Sequence, residues 1–323
     1  LASGNVYPGD MRFLYSGSTA YVVCYLYIED YVYGVLPYEM DNSFPLEALK
    51  AQAVTARTYG IRAKTSSGVY DVTDTTNHQV FRGVNTSKAR CIQAVDETWG
   101  IVLKYNGSYA GTYYSASNGG QTEASNHVWG GSAIGYLKIY DDPYDLANKS
   151  SVTKSYLIYA SPDMGTSISA YSLFKNALAA KLGGSADGYT INQVVSVTAH
   201  TPMYAAPSRL YTKLQAELIY NGGSRATVDV SIFPTVESAL GLSINGSNNE
   251  LYTVTQEAKG FRVTARRYGH GVGMSQRGAE QMGNSGFSYA QILGFYYPGT
   301  ERVRMNLTTS WPSAGPTPPP VED

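Results

Sequence analysis

One carboxylate stands apart in the first third of the chain. Glu39 lies in LPYEM, an otherwise uncharged run between a valine- and tyrosine-rich stretch and an apolar helix. A glutamate there can be a solvated turn residue, a charge that favours a helix N-terminus, a metal ligand or a proton donor. Tyr38 and Met40 flank it, with Leu36 and Pro37 behind. Partial desolvation by such neighbours raises a carboxyl pKa toward the working range of a general acid. The segment reads as a short loop after a strand-like run, and loops held by rigid elements are where catalytic groups concentrate.

Other polar groups recur in suggestive company. Arg57 shares a helix face with Lys50, Ala53 and Ile61, so its guanidinium needs a partner, either a carboxylate or a polar ligand. RYGHGVGMSQRGAEQ carries Gly269, Gly271, Gly273 and Gly278, a density that permits positive φ or close approach of the backbone to a ligand. No Gly-Lys-Ser/Thr follows, so phosphate binding of the Walker kind is excluded. His270, Ser275 and Gln276 put polar groups at a helix N-terminus, although a histidine in such a turn is often a structural hydrogen-bonder. YYSASNGGQTE presents Ser115, Ser117, Asn118 and Gln121 around a Gly-Gly turn without a GxSxG elbow, which argues against a serine hydrolase. His78, His127, His200, His270 and Cys91 show neither HExxH nor CxxC spacing, so spacing gives no metal site.

The elements that must position these groups are readable. The first 36 residues alternate loosely, as half-buried strands do, at Met11–Leu14 and Tyr21–Ile28. FPLEALKAQAVTARTYGIRAK opens with Pro45 near the first helical position, and Leu46, Leu49, Ala53, Val54, Ala56 and Ile61 cover one face of a helix of about five turns. A shorter helix is expected from Ser87 as cap through Cys91 and Val95 to Gly100 as stop. Asn106-Gly107 reads as a type I′ hairpin turn. A helix is expected at Ile168–Leu182, stopped by Gly183-Gly184, followed by strands at Leu214–Tyr220 and Arg225–Ile232. The last block reads as a glycine loop, two helices joined at Asn284–Gly286 and a closing strand. The fold class is α+β, mixed helices with mostly antiparallel strands, and not a βαβ parallel sheet.

Composition narrows the partners. The 323 residues carry 24 Lys+Arg against 25 Asp+Glu, and a net charge of -1 gives no general attraction to nucleic acid or anionic membranes. The 29 tyrosines suit strands and sugar-binding grooves, with a flat apolar face and a polar rim. The two cysteines, Cys24 and Cys91, make no disulfide framework. No run is apolar enough to span a membrane, and the chain opens at LASGNVYPGD as though an N-terminal anchor or signal had been removed. SAGPTPPPVED reads as an extended proline-rich tail over 306–323.

Taken together, IEDYVYGVLPYEM, EALKAQAVTARTYG, SASNGGQTE and GHGVGMSQRGAEQMGNSGFSYAQIL resemble the SpoIID/LytB family, that of stage II sporulation protein D, in the expected order over residues 25–305. The resemblance implies one catalytic domain over 1–305 built around a glycan-binding groove, with a lineage-specific insertion at about 150–255. It implies a peptidoglycan lytic transglycosylase of the cell envelope, outside the cytoplasm, cutting between N-acetylmuramic acid and N-acetylglucosamine to leave 1,6-anhydro ends on peptide-free strands. Glycan strands, a companion amidase and a membrane-anchored scaffold are the implied partners, nucleic acid is not, and no cofactor is needed. Carried over, the catalytic glutamate falls on Glu39 and the functional arginine on Arg57, while Tyr136 and Lys138 match a YLK-like segment. Ser115, His270, Ser275 and Gln276 are placed around the groove. Some relatives bind zinc through His and Cys before a QV pair. Here DVTDTTNHQVF offers His78 and no cysteine, leaving only the distant thiol of Cys91, so no metal is assigned. Ordinary glycosidases use two carboxylates, whereas a lytic transglycosylase manages with one. A muramidase-type hydrolase recruiting Asp41 and a water, or a non-catalytic glycan-binding scaffold, are the alternatives.

Overall fold

The computed structural model describes residues 7–64 and 68–306. It divides into two compact units: one runs to Tyr114 and resumes at Gly273, the other is continuous from Ser115 to Val272. The stretch 150–255 thus lies inside a unit that begins well before it. The proline-rich tail from 307 onward lies outside the described residues.

In the first unit, strands β1 (Asp10–Ser16) and β2 (Thr19–Tyr25) form an antiparallel hairpin. The segment after β2 departs from the strand-like reading. Ile28–Glu39 is a helix, α1, and Glu39 is its last residue, not a loop residue. Ile28, Tyr31, Val32, Val35 and Leu36 recur at three- and four-residue spacing and form its inward face. Their β-branched and aromatic side chains resemble strand composition, which hides the helical period. Pro37 removes a backbone donor in the last turn, and the helix stops two residues later with the Met40 N–H on the Leu36 carbonyl at 3.0 Å.

Helix α2 (Leu46–Ala63) starts directly after Pro45 and is the centre of the unit. Ala51 to Thr58 are buried without a break, so more than one face is covered. Its alanines let α1, α3 (Ala89–Glu97) and β3 (Ile101–Tyr105) pack closely around it. Ser87 does not cap α3. Instead Asn42, distant in sequence, accepts from the Arg90 and Cys91 amides at 3.0 and 3.1 Å. A side-chain cap of this kind contributes about 1 kcal/mol, so Asn42→Ala should lower the stability of the chain in urea by that amount, more than Ser87→Ala does.

Asn106 and Gly107 have φ of 50° and 78° and join β3 to β4 (Ser108–Tyr109) in the expected primed turn. The strand Glu301–Arg304 pairs with the other edge of β3. Helices Gln276–Asn284 and Tyr289–Tyr296 complete the unit, the second with a capping box from Ser288 and Gln291.

The second unit holds two three-stranded antiparallel sheets. In one, Gly260–Arg266 is central between Leu251–Glu257 and Thr153–Tyr159; in the other, Tyr211–Tyr220 is central between Ile191–Pro202 and Ser224–Ser231. The helix Ile168–Leu182 places Phe174 and Leu178 in a core with Val194, Leu214, Leu218 and Val228, and ends at Gly183 with φ 94°. Every pairing between these strands is antiparallel, giving the α+β class.

Candidate active site

Glu39 is half-buried at the C-terminal end of α1. A helix C-terminus carries partial negative charge, so a carboxylate gains nothing from the dipole there. Its Oε1 accepts the Val80 N–H at 2.9 Å, and the Tyr114 hydroxyl is a second hydrogen-bonding partner. Burial pushes its pKa above the ordinary glutamate value, and the bonds from Val80 and Tyr114 pull partly against that shift. The Gln276 side-chain amide donates to the Glu39 backbone carbonyl at 3.0 Å, which fixes the end of α1. The structure therefore brings Glu39 and Gln276 together, although Gln276 holds the backbone and not the carboxylate. Ser275 is buried and caps the helix that Gln276 begins, accepting from the Gly278 N–H at 3.0 Å.

Of the two partners open to Arg57, the structure supplies the carboxylate. It is fully buried, and its guanidinium grips Glu29 in a bidentate pair, Nε to Oε1 at 2.8 Å and Nη2 to Oε2 at 2.7 Å. Nη1 donates to the Ile101 carbonyl at 3.0 Å, and Glu29 also accepts the Gly100 N–H at 2.8 Å. With no exposed surface left to meet a ligand, Arg57 ties α1, α2 and the start of β3 together. The partner Glu29 carries no signal by spacing, because 28 residues separate the two.

In the second unit, Ser115 and His270 each bond a backbone amide of the glycine loop. The Ser115 Oγ accepts the Gly271 N–H at 3.3 Å, and the His270 Nδ1 accepts the Val272 N–H at 3.0 Å. The His270 ring lies edge-to-face with Trp129 at 5.0 Å. Tyr136 is buried, while Lys138 is exposed and its carbonyl accepts from the Thr122 hydroxyl at 2.8 Å. Sequence reasoning missed the charge beneath this loop. Arg267 is fully buried and donates to the Asn118 and Gln121 carbonyls at 3.1 and 3.0 Å and to Glu123 at 3.3 Å. Gly271, at φ 75°, leaves space for it, since a Cβ there would lie 2.9 Å from the Arg267 Nε. The loop's close approach is thus made to its own chain. In the first unit Gly273 does likewise, with φ 71° and a Cβ position 2.1 Å from the Tyr113 carbonyl oxygen.

Among the described residues, no group of three or more His, Cys, Asp and Glu side chains is placed to hold a metal ion. The His78 Nδ1 is hydrogen-bonded to the Thr73 hydroxyl at 2.9 Å. Burial raises the Cys91 thiol to about 11, the opposite of what a thiolate ligand requires. No described helix is long and apolar enough to cross a membrane.

A half-buried carboxylate of raised pKa, held by neutral donors, defines a candidate general-acid site. A family model described as Stage II sporulation protein (SpoIID) matches residues 16–105, which include that site's helix. The stage II sporulation protein D of Bacillus subtilis is 30% identical over 85% of this chain and 74% of its own length. The corresponding protein of Bacillus amyloliquefaciens is also 30% identical, over 85% of this chain and 73% of its length. The amidase enhancer of Bacillus subtilis is 37% identical over 83% of this chain, which spans only 39% of that longer protein. The chain belongs to the SpoIID family, that of stage II sporulation protein D.

Proposed function

We propose that the chain is a peptidoglycan lytic transglycosylase that cuts peptide-free glycan between N-acetylmuramic acid and N-acetylglucosamine with Glu39 as its single acid and base. The observation that carries this reading is the environment of Glu39, where burial favours the acid form and two donors support the carboxylate. Both states are needed in turn. Protonated Glu39 gives its proton to the glycosidic oxygen as the bond to C1 breaks. The resulting carboxylate takes the proton of the muramic 6-hydroxyl as that oxygen attacks C1, closing the anhydro ring and returning Glu39 to the acid. No water enters, so no second carboxylate is required.

Asp41 supports the muramidase alternative poorly. It is exposed, and its Oδ1 accepts the Ser43 N–H at 2.9 Å in a turn that also holds its pKa down. The experiment is mass spectrometry of products from denuded glycan. Anhydro-muramic ends are expected, and reducing ends would replace this reading with the hydrolase. With Arg57 engaged by Glu29, its guanidinium is not available to the lactyl carboxylate of the muramic sugar. The name of the amidase enhancer supports an amidase as companion, and a cell-envelope location outside the cytoplasm follows from the substrate.

A further inference from the structure

The Tyr114 hydroxyl that meets Glu39 is the end of a longer chain. Tyr31, two turns back on α1, donates its hydroxyl to the Gln79 Oε1 at 2.8 Å, and the Gln79 Nε2 donates to the Tyr114 oxygen at 3.0 Å. The direction is fixed by chemistry. When Glu39 is ionised it can only accept, so Tyr114 must give it its one proton. The Tyr114 oxygen must then accept from the NH2 end of Gln79, which turns the amide carbonyl toward Tyr31. Each donor thus points at the carboxylate, and chains of this kind strengthen one another in a low-dielectric setting.

The chain is also held mechanically. Tyr31 stacks on Phe81 with centroids 5.8 Å apart, and Gly34 makes room for that ring, since a Cβ there would sit 2.2 Å from it. The Arg82 N–H bonds the Gly34 carbonyl at 3.2 Å, so the segment carrying Gln79 and Val80 is laid along α1 itself.

We propose that Tyr31, Gln79 and Tyr114 form a one-way hydrogen-bond chain that orients Glu39 and stabilises its carboxylate in the interval between giving and regaining its proton. The proposal rests on the acid/base reading of Glu39. Tyr114 and its two supporters are positioning residues, and no proton travels along them. Among the described residues, the ionisable groups acting on the site are Tyr31 on α1, Tyr59 on α2 through Tyr31, and Tyr114, while Val80 and Gln276 bring neutral amides. Both chain tyrosines are held neutral far above their ordinary range, mainly by burial, so they remain donors throughout.

The test is direct titration of Glu39 by carboxyl-carbon NMR, run beside glycan lysis as a function of pH. Tyr114→Phe should move the Glu39 midpoint upward by about one unit and carry the high-pH limb of lysis upward with it. Tyr31→Phe, a milder change at the far end, should shift both in the same direction by less, and provides the readout if Tyr114→Phe fails to fold. An unchanged midpoint in a folded variant, with wild-type lysis intact, overturns the chain and leaves the acid/base reading standing. A shifted midpoint in a protein whose wild type releases no fragments overturns the acid/base reading, and the catalytic purpose of the chain with it.

Discussion

Glu39→Gln is expected to abolish measurable release of anhydro-muramic fragments from denuded glycan, while binding of the same strands should persist. A positioned general acid contributes about 10²–10⁴-fold, and in the proposed reaction one group serves both proton transfers, so the loss should sit at the upper end of that range. Cosedimentation with glycan and mass spectrometry of the supernatant separate binding from turnover. Equal fragment release by wild type and variant would leave a glycan-binding module in place of an enzyme. The same substitution carries a stability signature. The folded-state pKa of Glu39 lies above its unfolded value because of burial, so the folded state favours the protonated form. That contribution is fully present below the unfolded pKa, near the ordinary glutamate value, and is lost as pH rises through the folded one. Glutamine keeps the neutral shape at every pH. Glu39→Gln should therefore be more stable than wild type at neutral pH, with the difference vanishing on acidification, as read by denaturant titration at both pH values.

Arg57→Met should cost about 3–5 kcal/mol of stability, because it leaves the Glu29 carboxylate buried without its partner. The same change removes the donor to the Ile101 carbonyl, where α2 meets the start of β3. Replacing both members, Glu29→Met with Arg57→Met, should recover most of the loss, since a buried ion pair exchanged for apolar side chains is often close to neutral. Arg57→Lys should not recover it, because an ammonium cannot reproduce the two-pronged grip on Glu29. Urea denaturation of the three variants measures this pattern. Glycan affinity of the folded fraction should remain that of wild type. A selective loss of affinity at unchanged stability would return Arg57 to the substrate.

Much of the frame was legible because local rules agree with the tertiary result. Pro45 and the alanine-rich repeat fixed α2, Asn106-Gly107 fixed the β3–β4 turn, and Gly183 stopped the helix after Leu182 where expected. The failures have physical causes too. α1 was hidden because Tyr31, Val32 and Val35 belong to types that strands favour, and burial against α2 outweighed that propensity. The cap of α3 came from Asn42 and not from Ser87, a choice that local sequence cannot register.

The sequence by itself determined that one glutamate stands in an apolar setting beside a long helix, and family resemblance marked it as the candidate acid. Its surroundings were decided only by folding. Val80 reaches Glu39 across 41 residues of chain, Gln79 reaches Tyr114 across 35, and Arg57 finds Glu29 across 28. Side-chain spacing along one helix can reveal a shared face, but hydrogen bonds between distant segments depend on the path the backbone takes. That path gave the guanidinium to the core and left the carboxylate half-open, with donors turned toward it.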